Sequence, residues 1–206
     1  MAIITAILTY SVSFFGEYQA ITVITSADKI IQLLTTPLIA FSTTLLPVIG
    51  VQMGLKNYKT IKDIFNYSIN KLIILSIILT IALLILNPLV VSLYSVFGLS
   101  SSLFSSMTFY LFIFSFTFPF SALISISMSM FQGLGKGFHG AMIPLIRHLI
   151  SSTIAMYILG FVLNMGLFGI YLGILIGFIF TGVVSILWIN NYIGKLIKND
   201  KNKTIN

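Results

Sequence analysis

FQGLGKGFHGAMIPLIRHLI, residues 131–150, offers two incompatible readings, and the choice between them settles the fold class. Gly135, Gly137 and Gly140 satisfy the G-x-G-x-x-G spacing with which a tight turn and a helix start hold a dinucleotide pyrophosphate. That chemistry needs a strand before the glycines, inside a crossover unit of a parallel sheet. What precedes them is an uncharged apolar stretch of about 30 residues, long enough to cross a membrane. The glycines therefore belong to a turn between two membrane segments, and Lys136, His139, Arg147 and His148 mark a loop and helix start at one membrane face.

The rest of the chain agrees with the membrane reading. Hydrophobic residues make up 58% of the 206 and charged residues 7%, with a mean hydropathy of +1.09. Soluble domains carry about 25% charged residues. Hydrocarbon leaves no backbone group unpaired, so only helices or closed barrels span it. A barrel strand alternates polar and apolar residues, and the run LIILSIILTIALLIL at 72–86 does not. An all-α integral membrane protein, a six-helix transmembrane bundle, is the expected fold. There is no cysteine, which removes disulfides and thiolate metal sites. The formal charge of +7 sits at segment ends and forms no basic patch with interleaved aromatics, so nucleic acid is not an expected partner.

Six helices are predicted at about 1–15, 18–53, 60–97, 103–132, 138–163 and 167–193, with a tail at 194–206 and no soluble domain. The first is short for a span and reads as the remainder of a longer helix; it lacks the basic start of a signal peptide. Pro37 and Pro47 should bend segment two, Asn87-Pro88 should kink or end segment three, and Pro119 lies inside segment four. Lys56, Lys59, Lys62, Lys71, Lys136, Arg147, Lys195, Lys198, Lys201 and Lys203 all fall at alternate turns or in the tail. The opposite turns, near Glu17, Gly98 and Asn164, hold no basic residue, so both termini are expected in the cytoplasm and the chain in the plasma membrane.

Asp28 and Lys29 lie about 15 Å into segment two at ~1.5 Å per residue, near the bilayer centre. Thr22, Thr25, Asp28, Lys29, Gln32, Thr35 and Thr36 follow i, i+3, i+4 spacing and form one polar stripe. Intramembrane charge faces protein or water, so the stripe is either the wall of a hydrated cavity or a buried polar network; Thr25, Asp28, Lys29, Gln32 and Thr36 are the candidate cavity residues. Ser121, Ser125 and Ser129 in segment four read as helix packing. Gly169, Gly173 and Gly177, continued by Thr181 and Ser185, form a small-residue stripe that admits a close neighbour, in this chain or another. Lys136 and Arg147 are candidates for a cytoplasmic latch, with Arg147 bonding terminal helix carbonyls. His139 and His148 lack metal-ligand spacing, and no catalytic triad, phosphate loop or carboxylate pair is present, so neither an enzyme, a metal nor a cofactor is expected.

Several stretches together resemble the C-terminal half of a multidrug and toxic compound extrusion (MATE) transporter: Ala27-Asp28-Lys29-Ile30 leading to Pro37, Leu46-Pro47-Val48-Ile49-Gly50 with the basic KNYKTIKD, Phe131-Gln132-Gly133-Leu134-Gly135-Lys136, Arg147, and Gly166-Leu167-Phe168-Gly169-Ile170-Tyr171-Leu172-Gly173. The resemblance implies one lobe of a twelve-helix fold, with an N-terminal six-helix lobe as partner and a substrate cavity between them. It implies a multidrug efflux antiporter for small organic or cationic substrates, coupled to protons or sodium and working by alternating access. Family members that couple ions through this lobe carry acidic residues in its first and fourth helices, and here segments one and four have none. Two alternatives stand beside it: a lipid-linked oligosaccharide flippase of related architecture, and a non-transporting membrane scaffold associating through the segment-six glycines.

Overall fold

The computed structural model describes residues 18–96 and 103–205, which are helical almost throughout. The helix expected at 1–15 and the turn expected at Gly98 lie outside the described residues. α1 is Tyr18–Gly54, α2 Tyr58–Val96, α3 Phe104–Ser115, α4 Phe118–Gly133, α5 Gly137–Val162 and α6 Gly166–Ile205. α1, α2, α5 and α6 are each long and apolar enough to cross a membrane, and α3 with α4 makes one further span bent by 49°. The chain is an all-α, multi-pass membrane bundle. Residues 131–150 form a helix end, a turn and a second helix, with Gly135 at φ +71 providing the left-handed residue of the reversal. Gly137, expected to share that task, is the first residue of α5.

The α3–α4 bend has a covalent cause. Pro119 has no N–H to donate to the carbonyl of Ser115 one turn earlier, and its ring crowds that oxygen, so the helix breaks at Phe116 and Thr117. The Ser115 carbonyl is not left bare in hydrocarbon: Thr80 of α2 shares its hydroxyl proton between the Ser76 carbonyl of its own helix at 2.9 Å and the Ser115 carbonyl at 3.1 Å. Asn87, beside Pro88, likewise donates to the Thr108 carbonyl of α3 at 2.9 Å, and α2 runs through Pro88 unbroken. α1 also continues through Pro37 and Pro47 as one helix.

α4 is the hub, packed against α1, α2, α5 and α6. Two apolar cores lie at opposite ends of the bundle. One gathers Val23, Ile24, Tyr110, Phe114, Tyr171 and Ile174; the other, at the lysine-rich end, gathers Ile49, Phe65, Met130, Phe131, Ile189 and Ile193. Ile74, Ile78, Ile81 and Ile85 of α2 are exposed at helical spacing, an apolar stripe of the kind that lipid or a further membrane helix covers.

The glycine stripe of α6 meets α5 of the same bundle. A Cβ at Gly169 would sit 2.5 Å from the Leu159 carbonyl oxygen, one at Gly173 would sit 2.6 Å from the Met156 nitrogen, and one at Gly177 would meet Ser152. Thr181 of the same stripe donates to the Ser151 hydroxyl at 3.1 Å. Segment six was expected to end near 193, yet α6 runs on to Ile205. Beyond Gly194 the residues are mainly Lys, Asn, Leu and Ile without a proline, so nothing in the backbone stops the helix where the hydrocarbon ends. Lys62 of α2 donates to Asn190 of α6 near that end.

Candidate functional site

A cavity of about 490 Å³ opens between α1, the α3–α4 span, α5 and α6. Its α1 wall carries Thr25, Asp28, Gln32, Thr35 and Thr36, which one helical face must present together because they recur every three or four residues. Lys29, a candidate of the same stripe, is not on that wall; it is exposed, turned roughly 100° away from Asp28 by the helical rotation. The threonines do not compete for donors. Thr25, Thr35 and Thr36 give their hydroxyl protons to the carbonyls of Ile21, Ile31 and Gln32 at 2.9, 2.9 and 2.8 Å, leaving oxygen lone pairs as acceptors. Ser121 and Ser125 of α4, read as packing residues, also line the cavity, whereas Ser127 and Ser129 are buried.

Asp28 is held by a residue the sequence did not single out. Tyr110 of α3 donates its phenol to Asp28 Oδ1 at 3.1 Å and is itself 1% exposed, edge-on to Tyr171 at 4.8 Å and tilted against Phe114 at 5.2 Å. Locked between two rings, that phenol has little freedom to leave the carboxylate. An 82-residue separation and a segment rich in phenylalanine hid it; nothing local distinguishes this tyrosine.

Arg147 is the second surprise. Expected as a latch beside Lys136 at the inner end, it sits ten residues past the start of α5, about 15 Å along the axis, on the cavity wall. Lys136 is exposed at the turn. The backbone is irregular here: two residues after Pro144 the helix widens into a π turn, Ile146–Ser152, and Thr153 donates to the His148 carbonyl at 2.8 Å. A π turn adds a residue to the turn and re-aims side chains, and such turns gather at functional sites. Here it carries Arg147, His148 and Ser152, all on the cavity. The guanidinium lies 4.5 Å over the Phe178 ring of α6, one terminal nitrogen contacts His148, and Nε is buried without a hydrogen-bond partner.

The two charged centres stand apart. Asp28 is joined through Tyr110 to the level of Tyr171, and Arg147 rests at the level of Phe178, seven residues further along α6 and so about 10 Å down the axis. Gln32 and Thr36, one and two turns beyond Asp28, line the cavity toward the arginine.

No family model and no curated protein matches the chain. Solved structures do. A multidrug resistance MATE family transporter of the MOP superfamily matches in its inward-facing form with a TM-score of 0.86 and 21% identity, over 95% of this chain and 43% of its own. Its outward-facing counterpart matches at 0.85 and 22%, over 95% and 42%. A MOP superfamily transporter from Pyrococcus furiosus, described as having a binding pocket of reversed polarity, matches at 0.89 and 23%, over 95% and 43%. The chain has the fold of one half of a MATE-type transporter, and it spans about 43% of the length of the transporters it matches.

Proposed function

We propose that this chain is the C-terminal lobe of a secondary antiporter that expels amphipathic organic compounds, cations among them, in exchange for inward flow of protons or sodium. The observation that carries the reading is the cavity: an ionisable, hydroxyl-lined hollow among membrane-spanning helices, in a fold shared with transporters solved both inward- and outward-facing. Charged groups at that depth are costly and are kept where they meet an ion, a solute or water. In the mechanism the lobe rocks against an N-terminal six-helix lobe, so that the α1 wall faces each side of the membrane in turn. Asp28 receives the coupling cation or the cationic group of a substrate, while Thr25, Gln32 and Thr36 offer it oxygen acceptors. The lysines at the α1–α2 turn, at Lys136 and along the end of α6 support an inner, cytoplasmic face at the plasma membrane, with both termini on that side.

The test uses the complete transporter, both lobes present, in liposomes with an imposed proton or sodium gradient. Gradient-driven movement of a fluorescent organic cation is expected, and Asp28→Asn should reduce it about tenfold, the scale of a lost charge-assisted contact. Equal transport by a well-folded Asp28→Asn variant assigns Asp28 a structural role. Efflux by the 206-residue chain without a second lobe would refute the two-lobe mechanism.

A further inference from the structure

We infer that the Arg147 end of the cavity is an anion subsite, so that the compound held by this lobe carries a carboxylate, sulfonate or phosphate group on an apolar body. The inference deepens the transport proposal and rests on the cavity being the place where that compound sits.

Arg147 has none of the partners that make a membrane arginine structural. Among the described residues no carboxylate lies within ion-pair distance, and Asp28, the acid that shares the cavity, is about 10 Å away along the axis and engaged by Tyr110. His148 touches one terminal nitrogen but brings no negative charge. The Phe178 ring supports one face of the guanidinium and fixes its plane, yet a ring face leaves the in-plane N–H donors unfilled. Nε is buried with no acceptor at all. A planar fork held flat on an aromatic ring, with Nε lacking an acceptor and only a histidine ring nitrogen against one terminal nitrogen, matches an anion that offers two or three oxygens. Ser125 and Ser152 lie on the same wall as further hydrogen-bonding groups, and the remainder of the lining, Ile24, Ile31, Leu38, Phe114, Met156 and Ile174, suits an apolar body. At about 490 Å³ the cavity is of the size that encloses most of a drug-sized molecule. With Asp28 on the same lining, a zwitterion engages both.

Equilibrium dialysis with the purified full chain in nanodiscs of zwitterionic lipid tests this, using three naphthalene probes that share one body and differ in the head group: sulfonate, sulfonamide and trimethylammonium. The sulfonate is expected to bind at least tenfold more tightly than the neutral sulfonamide, Arg147→Gln to abolish that advantage, and Arg147→Lys to keep part of it. Sulfonate binding no tighter than sulfonamide in the wild type overturns the subsite, as does an advantage that survives Arg147→Gln. The wild-type comparison decides even where Arg147→Gln does not fold. Repeating the series in nanodiscs containing phosphatidylglycerol separates the sources of the anion: retained sulfonate binding supports a soluble compound, and loss of it assigns the subsite to a lipid head group and overturns the substrate inference. No gradient or second lobe enters these measurements, so absence of transport in liposomes alongside intact sulfonate binding counts against the antiporter and not against the subsite.

Discussion

Gly173→Ala isolates the contact that holds α5 to α6. The added Cβ would stand 2.6 Å from the Met156 nitrogen, 2.7 Å from its Cα and 2.9 Å from the Ala155 carbonyl carbon, all backbone atoms that no rotamer change can move aside. Ordinary contact begins near 3.4 Å, so the helices must part by roughly 1 Å, and a gap of that size forfeits a quarter to a half of the dispersion energy of each pair of atoms across it. Over a seam that also includes the close approaches at Gly169 and Gly177, about 2 kcal/mol is the expected cost, within the ~1–3 kcal/mol range of overpacking. Gly194→Ala supplies the control on the same helix: nothing lies within 4 Å of its Cβ, and replacing an exposed helical glycine should be neutral or stabilising by up to ~1 kcal/mol. Thermal unfolding of the purified chain in detergent, followed by size exclusion, compares the two. A loss of about 4–8 °C is expected for Gly173→Ala, on the ~2–4 °C per kcal/mol seen for folded domains of this length. Equal midpoints for Gly173→Ala and Gly194→Ala would show that α5 and α6 are not in backbone contact, and the packing account of the stripe would fall.

Thr80→Val removes the donor to the Ser115 carbonyl and should destabilise by about 1–2 kcal/mol in the same melting assay, with Thr80→Ser close to wild type; equal melting of Thr80→Val and Thr80→Ser refutes the repair of the proline break. Tyr110→Phe keeps the ring packing on Tyr171 and Phe114 but strips Asp28 of its hydrogen bond, so folding should change by only about 1 kcal/mol while gradient-driven transport by the complete protein changes severalfold. Transport by Tyr110→Phe indistinguishable from wild type separates the tyrosine from the mechanism.

The fold was legible because the bilayer restricts the choices. A run such as 72–86 has no soluble explanation and no barrel explanation, so its helicity follows from the solvent and not from propensity. The polar stripe of α1 was legible for a similar reason: a charge at that depth demands a neighbour, and helical spacing named the residues sharing its face. Lys29 was lost from the cavity because adjacent residues diverge by roughly 100° even when both are charged. Tyr110 was illegible because its role is a tertiary contact made by a residue type common throughout the chain. Arg147 was read as an inner-face latch because basic residues near a turn ordinarily mark the membrane surface; its place on the cavity wall, against Phe178, is a tertiary contact that spacing does not carry.

Pro119 and Pro144 connect these features. Each removes a backbone donor from a membrane helix, the first producing the α3–α4 break and the second preceding the π turn of α5 by two residues. Irregular backbone at hydrocarbon depth survives only where protein buries it or where it lines a hollow that offers polar groups. Both irregularities border the same cavity, with Thr117 from the break and Arg147, His148 and Ser152 from the π turn among its lining. The bent span follows from the missing N–H of Pro119, whereas α5 widens again at Tyr157–Val162, where no proline stands.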